Sequence, residues 1–291
     1  MMKRLLLALV LLLSATSGLH AQTQNGGSRV DLLMGVDFNY RDIFYNNKLF
    51  ELLVNLTPAA KWQFGDHWQV AAQGLIPVIN DYGEHYKKVR LNMAVLSKEM
   101  HLGNQHLKLS GGIFSHERYG FDLKWMMPVT SWLAFDAQAG FTGYCTMAVD
   151  WETSNLNRFT GWLGTRAYLH PWNTEFRLRG GRFLYEDYGG IAEAFRHFDH
   201  CSIGIFGQWN ERERFNGGFK IVMMIPPYSR KVRTVNIRPA SNFRLSYNNN
   251  AYFYQLKMYD TDPEENEREG YFDRKAVQWG ANTMAPDFRE H

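Results

Sequence analysis

His200 and Ser202 stand two residues apart, a spacing that on an extended strand places both side chains on one face. An imidazole beside a hydroxyl is a base beside a nucleophile, the pairing used for ester hydrolysis, and Asn216 is the amide suited to orient that imidazole. Cys201, Ile203 and Ile205 alternate with the pair, however, so His200 and Ser202 share the polar side of their strand. That placement equally describes two polar residues facing inward. The reading adopted assigns no catalytic residue and keeps His200, Ser202 and Asn216 as the enzymatic alternative.

A second constellation is electrostatic. Arg177 and Arg179 share a face, Arg166 falls on the preceding strand, and Glu175, Asp136, Asp122 and Lys124 belong to the same polar side. The functional reading is a basic track for an anionic glycan or phosphate. The structural reading, preferred because acids and bases occur together, is a network of paired buried charges. A third group, Arg230, Lys231 and Arg233, follows Pro226-Pro227 and reads as an external loop, either able to hold the phosphates of lipopolysaccharide or simply solvated. Metal and cofactor motifs are absent from the sequence, as are a phosphate loop and a dinucleotide fingerprint. His197 and His200, three apart on a strand, face opposite ways. Cys145 and Cys201 could bridge in an oxidising compartment, but the preferred reading is two unpaired small apolar residues.

The elements that must carry these residues have a period of two. Val30, Leu32, Met34, Val36 and Phe38 alternate with Asp31, Gly35 and Asp37; Phe121, Leu123 and Trp125 with Asp122 and Lys124; Leu133, Phe135, Ala137 and Ala139 with Asp136 and Gln138. Such segments have one apolar and one polar side. Strands are expected at 30–40, 49–64, 67–76, 87–98, 106–114, 118–127, 132–144, 158–169, 174–185, 194–209, 216–225 and 242–258. Only Ile191 to Phe198 resembles a turn or two of helix.

Strands of about 9–13 residues suit a tilted bilayer crossing. Charges at mid-strand and aromatics at strand ends (Trp62, Trp68, Trp132, Tyr144, Trp209) fit a membrane sheet with a polar inside. Connections after even-numbered strands are short and most of those after odd-numbered ones are long, with Ser115 to Glu117 as the exception. The expectation is therefore an all-β, closed antiparallel outer-membrane barrel of about twelve strands, with fourteen as the alternative.

Composition agrees with export rather than nucleic-acid binding: the net charge is +3 and aromatics make up 15%. Residues 1–21 read as a signal peptide, with Lys3 and Arg4 before the apolar run Leu5–Leu13. Residues 22–259 read as the barrel. Residues 260–291, with Asp260, Asp262, Glu264, Glu265, Glu267 and Glu269, read as a solvated acidic periplasmic tail.

Two resemblances bear on function. The His-x-Ser spacing is similar to that of outer-membrane phospholipases A, which act at the lipid face. The Pro-Pro run, the basic stretch and Arg238-Pro239-Ala240 leading to Phe243-Arg244-Leu245-Ser246-Tyr247-Asn248 resemble YjbH-type outer-membrane proteins over about 25 residues. The second resemblance implies a role beside exopolysaccharide production or export and supplies no catalytic residue. The functional expectation is a non-enzymatic outer-membrane protein without cofactor, in contact with lipid and lipopolysaccharide and with polysaccharide or its export machinery as partner. A lipid-modifying hydrolase and a secreted sugar-binding β-protein are the alternatives.

Overall fold

Alternating chains rich in β-branched and aromatic residues form strands because such side chains pack well on a pleated surface. The computed structural model describes residues 28–45, 48–65, 67–81, 83, 87–146, 151–184, 186–198, 201–211, 214–223, 234–240, 243–248 and 258–265. Nearly all of these are strand: β1 (Arg29–Tyr45), β2 (Lys48–Phe64), β3 (Trp68–Asn80), β4 (Arg90–Leu102), β5 (Gln105–Phe114), β6 (Arg118–Pro128), β7 (Leu133–Thr146), β8 (Glu152–Thr153), β9 (Arg158–Leu169), β10 (Thr174–Arg182), β11 (Tyr188–His197), β12 (Cys201–Asn210), β13 (Arg214–Met223), β14 (Val235–Pro239) and β15 (Phe243–Asn248). A 3-10 turn at His170–Trp172 joins β9 to β10.

One sheet contains them all. Its hydrogen-bonded order is β14-β1-β2-β3-β4-β5-β6-β7-β9-β10-β11-β12-β13-β15, with β8 attached to β7. The order has two ends, β14 and β15, and hydrogen bonds do not close it. The expected closed antiparallel barrel of about twelve strands is thus not the architecture. The reason lies in strand direction and edge occupancy. Leaving out β14, the path holds thirteen alternating strands, so β15 runs the same way as β1. The β1 edge is meanwhile taken by β14, which pairs in parallel from Val30↔Val235 to Met34↔Pro239. Pro239 has no N–H to give, which suits a terminal strand.

The odd count comes from a hairpin absent from the expected strand map. The stretch expected as one strand at 194–209 is two, β11 and β12, paired from His197↔Ser202 to Gly189↔Asn210. Gly189, Gly190 and Ala192 give β11 a weak alternation, and Ile191 to Phe198, the helix-like stretch, falls almost wholly within it.

Polarity is inverted relative to a water-soluble domain, which buries its apolar side chains. Leu163 and Ile205 are 71% and 65% exposed, and Phe121, Leu178, Phe215 and Ile237 are also on the outside. Asp31, Asn55, Lys108, Asp122, Lys124, Asp136, Arg166, Glu175, Arg177 and Glu193 are buried. A bulge makes one local exception. The β3–β4 register jumps from Gln73↔Met93 to Gly74↔Leu91, leaving Asn92 as the extra residue. Leu91 therefore points outward, while Met93 and Val95 turn inward and cluster with Phe114, Leu184 and Tyr259.

Residues 258–265 lie across the polar face. Tyr259 reaches Thr160 on β9, Lys61 on β2 bonds Asp262, and Arg238 on β14 bonds Glu264. Residues 259–264 are five steps of chain and span at most about 18 Å. Eight strand-to-strand steps across a flat sheet would cover roughly 38 Å. Long Tyr, Lys and Arg side chains add to the reach of the segment and bring strands as far apart as β14 and β9 into contact with it. The expectation of a solvated tail fails for 260–265, where Thr261, Asp262 and Glu264 are buried. Residues 1–21 and 266–291 are outside the described residues.

Candidate functional site

Glu175 on β10 is the centre of the first cluster. Arg177 donates to it from Nε and NH2, both at 2.8 Å, in a two-point contact that matches the planar guanidinium to the carboxylate. Arg166 stands directly opposite Arg177 in the β9–β10 register, so two cations meet across one ladder. Their repulsion is offset by shared acids: Arg166 Nε donates to Asp136 at 2.8 Å and its NH1 lies 3.8 Å from Glu175. Gly164 permits this approach, because a Cβ there would overlap Asp136 and crowd Arg179. Arg179 extends the chain to Asp136 at 3.6 Å and Glu193 at 3.7 Å, and Lys220 Nζ donates to Glu193 at 2.7 Å. Arg177 and Arg179 also stack on Phe195 and Trp162, 4.8 and 4.7 Å from the ring centroids. Four cations and three carboxylates nearly neutralise one another, the condition for keeping charge away from water.

His197 on β11 joins this cluster. Its Nε2 lies 3.0 Å from Glu175 and its Nδ1 2.7 Å from Ser202 Oγ. With the carboxylate accepting from Nε2–H, Nδ1 is the acceptor for the serine hydroxyl. Serine, histidine and glutamate in a row have the composition of a hydrolytic relay. The surroundings argue for a structural role. Ser202 is fully buried, His197 and Glu175 are 1% exposed, and Glu175 is held by Arg177. A nucleophile needs a site about 3 Å away for the reacting atom.

The enzymatic alternative of His200, Ser202 and Asn216 is not assembled. His200 lies outside the described residues. Ser202 pairs with Val222 and Gln208 with Asn216, so Asn216 is six residues, roughly 20 Å, along the ladder from Ser202. The Asn216 Oδ1 accepts from the N–H of Gly217 at 2.7 Å. Sequence reasoning missed His197 because it missed the turn that folds β12 back on β11. Asp199, a common turn former, was the available signal.

The expected charge residues Asp136, Arg166, Glu175, Arg177 and Arg179 do meet. Asp122 and Lys124 belong to a second cluster, built around the inserted segment. Asp122 accepts from Gln138 Nε2 at 2.7 Å and from the Tyr259 hydroxyl at 2.8 Å. Lys124 donates to Thr261 Oγ1 at 3.0 Å and bonds Glu265. Asp262 is held at both oxygens: Lys61 donates to Oδ1 at 2.9 Å, while Gln69 and Lys108 donate to Oδ2 at 2.7 and 3.4 Å. Glu264 receives Lys61 at 3.3 Å and two donors of Arg238, at 2.6 and 2.8 Å.

This surrounding field sets the protonation of the segment. Burial alone would raise the Asp262 carboxyl, but Lys61 and Lys108 outweigh it and hold the group below the usual carboxylate range. Glu264 is held low in the same way by Lys61 and Arg238. At Glu265 burial prevails and the carboxyl is raised, although Lys124 opposes it. Burial and the neighbouring Asp122 push the Tyr259 phenol up.

Arg230, Lys231 and Arg233 lie outside the described residues. Arg238-Pro239 ends β14 and Phe243–Asn248 forms β15. Among the described residues, no three His, Cys, Asp or Glu side chains are arranged to hold a metal ion. Cys145 and Cys201 are free thiols. No family model and no curated protein matches this sequence.

Proposed function

We propose that the protein is a non-enzymatic component of the bacterial outer membrane, exported by its first 21 residues, whose apolar face meets lipid hydrocarbon. Its polar face serves surface or exported polysaccharide. The observation that carries this reading is the inverted polarity: Leu163, Ile205, Phe215 and Ile237 are outside, while Lys124, Asp136, Arg166 and Glu175 are buried. Water penalises such a surface and hydrocarbon does not.

The resemblance to YjbH-type proteins at Arg238-Pro239-Ala240 and Phe243–Asn248 supports the polysaccharide role. The burial of Ser202 weighs against the hydrolase alternative. Density-gradient flotation with phospholipid vesicles tests the membrane assignment. The folded protein is expected to float with the vesicles and to need detergent when they are absent. Recovery as a folded, monodisperse species in plain buffer would overturn it.

A further inference from the structure

The segment that covers the polar face behaves chemically as a ligand. Asp262 has each carboxylate oxygen in a bond to a side chain of the sheet, and Glu264 receives both terminal nitrogens of Arg238. Lys61, whose side chain is 11% exposed, makes ion pairs with Asp262 and Glu264. A few residues earlier, the Tyr259 ring lies flat on Phe114, with centroids 5.1 Å apart and planes 9° from parallel. Its hydroxyl donates to Asp122. The face thus offers a flat aromatic platform, a carboxylate that accepts from a hydroxyl, and cations that receive carboxylates.

We propose that Lys61, Lys108, Lys124 and Arg238, with Phe114 and Asp122, form a binding track for a carboxylate-bearing glycan such as a polyuronate. Residues 259–265 occupy this track as an internal, displaceable ligand. A uronate unit presents the three features the segment presents: a flat ring face, hydroxyl donors and a carboxylate. An acidic peptide without an aromatic residue ahead of its carboxylates, such as poly-glutamate, would leave the Phe114 platform and the Asp122 acceptor unused. The sheet's own acids near the track, Asp31, Glu99 and Asp122, are too few to neutralise the cations together with Arg29, and the segment brings Asp260, Asp262, Glu264 and Glu265. Displacement exchanges one set of carboxylates for another, which keeps the buried lysines paired throughout. This inference rests on the polysaccharide role proposed above and not on what medium the apolar face meets.

The test uses the full chain in mild detergent with a single reporter thiol. Thr261→Cys on a Cys145→Ser, Cys201→Ser background places the thiol where the native side chain is fully buried. Polygalacturonate is expected to speed its maleimide labelling about tenfold, an effect worth roughly 1.4 kcal/mol. Poly-glutamate of matched charge and neutral dextran are expected to leave the rate unchanged. Binding of polygalacturonate to the otherwise native chain is expected to tighten about tenfold in Asp262→Asn/Glu264→Gln and to be lost in Lys61→Gln/Arg238→Gln. Equal acceleration by poly-glutamate would reassign the site to acidic peptides and overturn the proposal. Acceleration by dextran, or by none of the three polymers, would overturn it as well.

Discussion

Tyr259 lies parallel on Phe114 while its hydroxyl reaches Asp122 at 2.8 Å, so a residue beyond the last described strand is fixed to β5 and β6 together. Gly140 makes room for it. A Cβ at 140 would overlap the Tyr259 hydroxyl and press on Thr160. Gly140→Ala is therefore expected to expel the ring and lower stability by about 2–4 kcal/mol, the range for losing a large buried side chain. Tyr259→Phe keeps the stacking, loses the bond to Asp122 and should cost only about 1–2 kcal/mol. Urea midpoints in one detergent decide the order. Equal costs would mean that Tyr259 is not packed against Gly140.

Acid should release the segment. Asp262 and Glu264 have folded-state pKa values below their unfolded ones, so the stability they contribute is complete above the unfolded pKa of about 4. It is lost as pH falls below that value toward the folded pKa. Glu265 is raised and acts in the opposite sense: its contribution is complete below its unfolded pKa and fades as pH rises through the folded one. Docking should thus be tightest in mildly acidic solution, weaken toward neutrality and be lost progressively as pH falls below about 4. Labelling of a thiol at position 261, divided at each pH by the rate for a free cysteine under the same conditions, gives the profile. A ratio that stays flat from pH 7 to pH 3 would contradict it.

The strand content and the polarity of each face were legible because both rest on two-residue alternation, which is local. Asp122, Asp136, Arg166 and Glu175 could be placed on the polar face without knowing the pairing. The Asn92 bulge was not legible: it changes which of Leu91 and Met93 points inward through the register of β3 against β4, a non-local property. The β11–β12 hairpin was hidden because Gly189, Gly190 and Ala192 carry little side-chain signal. That one missed turn changed the strand count and kept His197 from being matched to Ser202. The docking of 259–265 could not be read either. An acidic stretch beside solvent and one beside buried lysines have the same composition, and only the sheet brings Lys61, Lys108 and Lys124 together.

The Glu175 cluster should respond as a charge network and not as a hydrolytic site. Glu175→Gln removes the acid shared by Arg177, Arg166 and His197. Leaving buried cations uncompensated is expected to cost roughly 3–5 kcal/mol, and Glu175→Met/Arg177→Met should recover most of that loss. Ser202→Ala removes one hydrogen bond and should cost about 1 kcal/mol. Denaturant midpoints in a single detergent rank the three. Fatty-acid release from phospholipid vesicles should be the same for Ser202→Ala and the parent chain; a drop confined to the variant would restore the catalytic reading of the serine.

Leu163 is the sharpest probe of the medium on the outer face. Its side chain is 71% exposed, and its neighbour across the ladder, Gly180, leaves it little cover. In water, a surface Leu→Lys change away from special features shifts stability within about ±0.5 kcal/mol. At the mid-depth of a bilayer, a lysine on the lipid face of a β-sheet costs about 2–4 kcal/mol, falling toward zero near the interfaces. Leu163→Lys and Ile205→Lys are therefore each expected to cost about 2–4 kcal/mol when refolded into vesicles. Phe215→Lys, one residue from the start of β13, should cost less, because strand ends approach the headgroups where a lysine snorkels to water. The comparison is made by urea titration of protein refolded into vesicles of one lipid. Near-zero costs at both Leu163 and Ile205 would place water at the apolar face and remove the physical basis for a membrane role.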